Sequence, residues 1–159
     1  VSQKGRRIVA VGGVDAHGII GDYEEDFVTV STYVLTPDPF NGAFEHDSAS
    51  VYAAIREGRC FVGADKVANA SSFRCHVESG GQPVQMGGTA RLARGANLTV
   101  SAPEPGLIRV IHDGVPVAEE WGSSLAIELD RRGAYRVEVK RKACRRYVPW
   151  IFGNHIYVV

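Results

Sequence analysis

An aspartate and a histidine two residues apart, Asp15 and His17, follow the run Ile8-Val9-Ala10-Val11-Gly12-Gly13-Val14. Residues i and i+2 of an extended chain project to the same side, roughly 6 to 7 Å apart. A carboxylate and an imidazole at that spacing can reach one metal ion or two adjacent ones. The paired glycines let the backbone turn sharply just ahead of the ligands. An ordinary polar turn after a strand fits the same residues, so the elements around them have to decide. The apolar run itself, unbroken from Ile8 to Val11, suits a parallel strand covered on both faces.

Other chemistry-bearing residues point elsewhere. Glu45-His46-Asp47 offers three donors in a row, but Asp47 or Ser48 reads as the cap of a helix running through Glu57. Val51, Ala54 and Ile55 mark its apolar face, and Gly58 stands in the stop position. His76 and His112 fall within expected strands and read as structural or solvent-facing. Lys140, Arg141, Lys142, Arg145 and Arg146 crowd around Ala143-Cys144, at the expected tip of a hairpin, where cations shield strand edges from pairing with other chains. Trp150 and Phe152 read as core anchors rather than a base-stacking platform. Cys60, Cys75 and Cys144 are odd in number and widely spaced, which indicates neither a disulfide framework nor a CxxC zinc site.

The stretch GGVDAHG resembles the last metal-binding motif of the PHP (polymerase and histidinol phosphatase) superfamily. VYAAIREGRCFVGAD is similar to the helix followed by a GR-aromatic-V strand in its CehA/McbA-like branch, and GAYRVEVKRK with PWIFGNHIYVV resembles that branch's closing strands. Val14 stands where the family usually carries Ser or another small residue, and His155 where it usually carries Pro. The resemblance implies a parent with a distorted α/β barrel whose metals sit at the C-terminal strand ends. It makes Asp15 and His17 ligands, not nucleophiles, of divalent ions (Zn, Mn or Fe) that activate a bridging water for phosphoester hydrolysis. The family's first motif, His-x-His, does not occur among His17, His46, His76, His112 and His155. The expectation is therefore a C-terminal fragment of a metal-dependent phosphoesterase, inactive alone. Two ligands fall short of the three or four protein ligands a divalent ion normally has, so no metal is expected to stay bound in the fragment.

The expected fold class is α+β: residues 1–70 as the last strand-loop-helix portion of a PHP α/β barrel, and residues 71–159 as an antiparallel β-sandwich accessory domain. The shift falls near Val67 to Ser72. Beyond it, short alternating runs recur between glycine-bearing turns, and Asp113-Gly114 marks a two-residue hairpin. Composition agrees with a globular chain, at 45% hydrophobic and 23% charged residues. Eighteen basic residues balance eighteen acidic ones, which argues against a dedicated nucleic-acid or membrane-surface protein. No apolar run approaches the roughly 20 residues that span a bilayer, and VSQKGRR lacks the apolar core of a signal peptide. A leader on the parent would have been lost with the upstream part, so compartment stays open, with a soluble cytoplasmic protein the default. Expected partners are a small phosphoester substrate in the parent, no nucleic acid, no membrane, and a second copy meeting the orphan strand at Ile8–Val11. The alternatives are a non-catalytic β-sandwich module for ligand binding or assembly and, more remotely, a nucleic-acid binder using the basic hairpin.

Overall fold

The computed structural model describes residues 7–16 and 23–159. In chain order the elements are α1 (Tyr23–Asp26), β1 (Ser31–Val34), α2 (Phe44–Glu57), β2 (Cys60–Gly63), β3 (Arg74–Glu78), β4 (Val84–Gln85), β5 (Thr89–Ala90), β6 (Asn97–His112), β7 (Val115–Glu128), β8 (Gly133–Ala143), β9 (Arg146–Gly153) and β10 (Ile156–Val158).

A barrel portion followed by a separate sandwich is not what these elements build. All ten strands join one hydrogen-bonded sheet, ordered β1-β2-β9-β8-β6-β3-β4, with β7 on β6 and with β10 on β8 and β5. Every pairing is antiparallel except β10 with β5. The expected parallel strand at Ile8–Val11 enters no ladder, and β1 and β2 pair antiparallel before β2 joins β9 through Phe61↔Gly153. The same sheet thus takes strands from both sides of residue 70. A short apolar run carries no periodicity that could tell these cases apart. A doubly covered strand and a segment laid against a ready-made surface look alike in sequence.

The centre of the sheet is one long hairpin. Asp113 and Gly114 both take positive φ, 48° and 89°, as a two-residue turn between right-twisted strands requires. The strand before it runs through Ala102-Pro103-Glu104-Pro105, where two prolines would end an ordinary strand. They fall where the ladder with β7 breaks, between Ser101 and Gly106, so no hydrogen bond is lost to them. That break divides β6: its first half pairs with β3 and its second with β8. Gly106 sits at the join, where a Cβ would lie 2.8 Å from Val139 Cγ1 and 2.9 Å from the Lys140 carbonyl oxygen.

One core lies against this sheet. Trp150, Phe61, Phe73, Met86, Leu98, Ile108, Ile151 and Ile156 are all wholly buried. Phe61 stacks on Tyr33 at 4.8 Å and meets the edge of Phe73 at 5.1 Å. Trp150 donates its indole N–H to the Ala68 carbonyl at 2.6 Å. α2 starts at Phe44, ahead of the expected cap. The Asn41 carboxamide accepts from Ala43 N–H, while Asp47, already inside the helix, reaches back to accept from Asn41 and Gly42 N–H. Its C-terminus closes as expected, with Gly58 left-handed at φ 82°. No helix among the described residues is long and apolar enough to cross a membrane.

Candidate functional site

The segment from Ile8 to Asp15 is held to the sheet by side chains rather than by a neighbouring strand. Ala10 donates its N–H to Asn154 Oδ1 at 2.8 Å and accepts from Asn154 Nδ2 at 2.9 Å. The planar side-chain amide thereby meets both backbone groups of Ala10, as a peptide unit would in a ladder. Two residues on, Gly12 donates its N–H to Thr32 Oγ1 at 2.8 Å, and the Thr32 hydroxyl donates to the Gly12 carbonyl at 3.0 Å. Space there is tight, since a Cβ on Gly12 would lie 2.6 Å from Val62 Cγ1.

Asn154 is the one buried polar residue of the described chain. Its Nδ2 also donates to the Cys60 carbonyl at 2.9 Å and lies 3.2 Å from Cys60 Sγ. Burial pushes the Cys60 thiol up, and the Asn154 hydrogen bond offsets part of that shift. The next residue, His155, has its Nδ1 buried with no hydrogen-bond partner among the described residues. Burial first, then the Arg136 cation, lowers its pKa, so it is a neutral ring at physiological pH.

Asp15 ends the anchored segment in a left-handed conformation, φ 53°, and is exposed. That backbone state is uncommon outside glycine, with Asp and Asn among the tolerant residues. His17, the other expected ligand, lies outside the described residues. Among the described residues no group of three or more His, Cys, Asp or Glu is placed to hold a metal. The donors in view among the described residues therefore do not make up a complete cation site.

The remaining candidates are accounted for locally. His46 Nδ1 lies 3.0 Å from Asp47 Oδ1, and this contact, ahead of the backbone bonds from Asn41 and Gly42, lowers the Asp47 pKa. His76 pairs with Glu78 at 3.2 Å. His112 sits 2.9 Å from the Arg132 carbonyl and stacks on Tyr135 at 4.4 Å. The basic cluster is a hairpin tip between β8 and β9, with Cys144 left-handed in the turn. Arg141 is drawn off by Glu104 at 2.7 Å and lies over the Trp150 ring at 5.2 Å. Cys60 and Cys75 are buried and Cys144 exposed, all three as free thiols.

Sequence reasoning singled out neither Asn154 nor Thr32, the two residues that fix the segment leading to Asp15. The signal for Asn154 was slight: a side chain of two donors and two acceptors between apolar closing strands, Trp150-Ile151-Phe152 and Ile156-Tyr157-Val158. For Thr32, one β-branched residue in a β-branched run, there was none. No protein-family model, no curated protein and no solved structure matches this chain.

Proposed function

We propose that this chain is the C-terminal portion of a PHP-type metal-dependent phosphoesterase, inactive by itself, whose β-rich body holds the segment that delivers Asp15 and His17 to a metal site completed by the rest of the parent. The observation that carries the reading is the way the Ile8–Asp15 segment is built. Its inner edge is clamped at Ala10 and Gly12, while Ile8 and Val11, 50% and 59% exposed, stand uncovered. A run of four apolar residues left half in solvent is what a strand looks like when its other neighbours belong to a part not present. The sequence resemblance supplies the chemistry: divalent ions, Zn, Mn or Fe, activating water on a small phosphoester.

The test compares the 159-residue chain with a longer protein that includes the reading frame upstream of Val1. Elemental analysis and hydrolysis of a chromogenic phosphodiester are measured on both. The longer protein is expected to hold divalent metal and to turn over, with both lost in Asp15→Ala. A longer protein with neither metal nor activity overturns the reading. A second reading, a non-catalytic module for ligand binding or assembly, draws on a different place. Phe40, Phe44, Val51 and Tyr52 line an apolar groove of about 480 Å³ on α2, with Phe44 83% exposed.

A further inference from the structure

We propose that Trp121 and Tyr147, with the cations around the β8–β9 turn, form a docking surface for single-stranded nucleic acid, whose bases stack on the rings and whose phosphates meet the cations. The two aromatics come from strands that do not pair with each other. Trp121 on β7 faces Leu107 on β6, Leu107 faces Lys140 on β8, and Lys140 faces Pro149 on β9; two residues toward the turn, Lys142 faces Tyr147. Directly opposed residues share a face of the sheet, so these side chains stand on one side. It is the side away from the core, since the alternate positions Ile108 and Val139 are wholly buried. Trp121 and Tyr147 are 49% and 52% exposed, and their rings lie 6.2 Å apart between centroids, inclined at 56°. In sequence the tryptophan nearest the basic cluster is Trp150, which the fold buries; it is Trp121 that the fold brings there.

The charge left over at this surface is positive. Glu119 and Glu138, the acids on the same face, are each taken up by a neighbouring arginine, Arg109 and Arg136, and Glu120 takes the alternate position, opposite buried Ile108. Arg141, also at an alternate position, pairs with Glu104. Lys140 and Lys142 on the face, and Arg145 and Arg146 at the turn, pair with no carboxylate among the described residues. The chain's balance of eighteen basic and eighteen acidic residues conceals this local excess. Every base offers a π face and every nucleotide an anion, so exposed rings flanked by uncompensated cations suit an unpaired strand. A duplex keeps its bases stacked on one another and gives the rings nothing to stack on. An anionic bilayer would want the rings at the leading end of the hairpin. That end is Ala143-Cys144-Arg145, and the rings lie behind it on the sheet face.

The test is fluorescence anisotropy of labelled oligothymidylate and oligouridylate of about 16 nucleotides, the upper range for one small binding domain. They are titrated with the 159-residue chain, with neither metal nor turnover, so the outcome is independent of the phosphoesterase reading. Binding of either strand should show a dissociation constant on the order of 1 to 100 µM near physiological salt, and log affinity should fall with log salt at a slope of about −3 for four cations. Trp121→Ala should weaken binding about 5- to 150-fold, and Trp121→Phe should restore most of it. Lys140→Gln with Lys142→Gln should flatten the salt slope by about 1.4. All of these side chains lie on the solvent side, so the urea midpoint should stay put. Tryptophan fluorescence should fall on binding, and the fall should vanish in Trp121→Phe, because Trp150 is wholly buried. The absence of salt-dependent binding to both oligonucleotides overturns the proposal. So does equal binding of a duplex or of inorganic polyphosphate with Trp121→Ala having no effect, which would leave a patch of cations only. Tighter binding to phosphatidylserine vesicles than to either strand also overturns it, making the surface a membrane contact.

Discussion

Replacing Asn154 by alanine is the most direct way to ask whether one buried amide holds the Asp15 segment. The substitution removes bonds to Ala10 N–H, to the Ala10 carbonyl and to the Cys60 carbonyl. At about 0.5 to 1.5 kcal/mol net each, these contribute on the order of 1.5 to 4.5 kcal/mol. Ala10 is exposed, so water recovers much of its share. The Cys60 carbonyl, with Cys60 wholly buried, bears the full desolvation penalty of about 1 to 3 kcal/mol. The expected global loss is about 2 to 3 kcal/mol, or roughly 4 to 12 °C in Tm for a chain of this size. Urea denaturation followed by far-ultraviolet circular dichroism measures it. The local effect should be larger than the global one, because Ala10 loses both of its bonds to Asn154 and keeps only the 3.8 Å contact of the Cys60 thiol with its carbonyl. Amide exchange at Ala10 should accelerate in Asn154→Ala beyond what global opening accounts for, while exchange at Val110 and Val137, deep in the core, tracks the midpoint shift alone. Asn154→Asp should be worse than Asn154→Ala, since it keeps the acceptor for Ala10 N–H but turns a buried carboxylate oxygen toward two carbonyls. An Ala10 amide that exchanges as slowly in Asn154→Ala as in the unsubstituted chain refutes the clamp.

Trp150→Ala should cost about 3 to 5 kcal/mol, because the ring is wholly buried and its N–H is bonded to Ala68. Trp150→Phe should lose far less; equal losses in chemical denaturation would mean that the indole N–H, not the volume, dominates. Alkali supplies another test. Burial raises the Cys75 thiol from 9.0 to about 12, and burial together with the Asp65 carboxylate raises the Tyr33 phenol from 10.0 to about 12. Both folded values lie above the unfolded ones, so their contribution is complete below pH 9 and is lost as pH climbs toward 12. The urea midpoint should fall across that window, with Cys75→Ala blunting the first part of the fall; a flat midpoint from pH 9 to 12 contradicts the burial of both groups.

What the sequence displayed and what it hid follow from the range of the interactions concerned. The Asp113-Gly114 turn and the Gly58 helix stop are set by backbone preferences of one or two residues, and both form where the residues stand. The start of α2 is set by Asn41 and by Asp47 reaching backward, so the expected cap at Asp47 or Ser48 marks an acid inside the first turns instead. β6 was hidden by Pro103 and Pro105, which read locally as a stop and are tolerated because the ladder breaks there. The fold class was hidden most deeply. The partner of β2 is β9, and Asn154 lies 94 residues from Cys60; no local periodicity encodes a pairing at that separation. Of the candidate site, the sequence singles out Asp15 by its spacing to His17, whereas the clamp on the segment before it depends on residues at positions 32 and 154.

The amide clamp also has a consequence for how the chain is made. Ala10 and the Asn154 side chain that grips it are 144 residues apart. At about 5 to 20 residues per second, a ribosome delivers Asn154 roughly 7 to 30 s after Ala10 has been synthesised. Through that interval Ile8 to Val11 has neither its clamp nor β9 and β10 to lie against, and β2 has no β9. The earliest-made apolar run of the described chain is thus among the last to be secured. Its wait is long on the scale of hydrophobic collapse, so it is the stretch most open to non-native apolar contacts while the chain is being made.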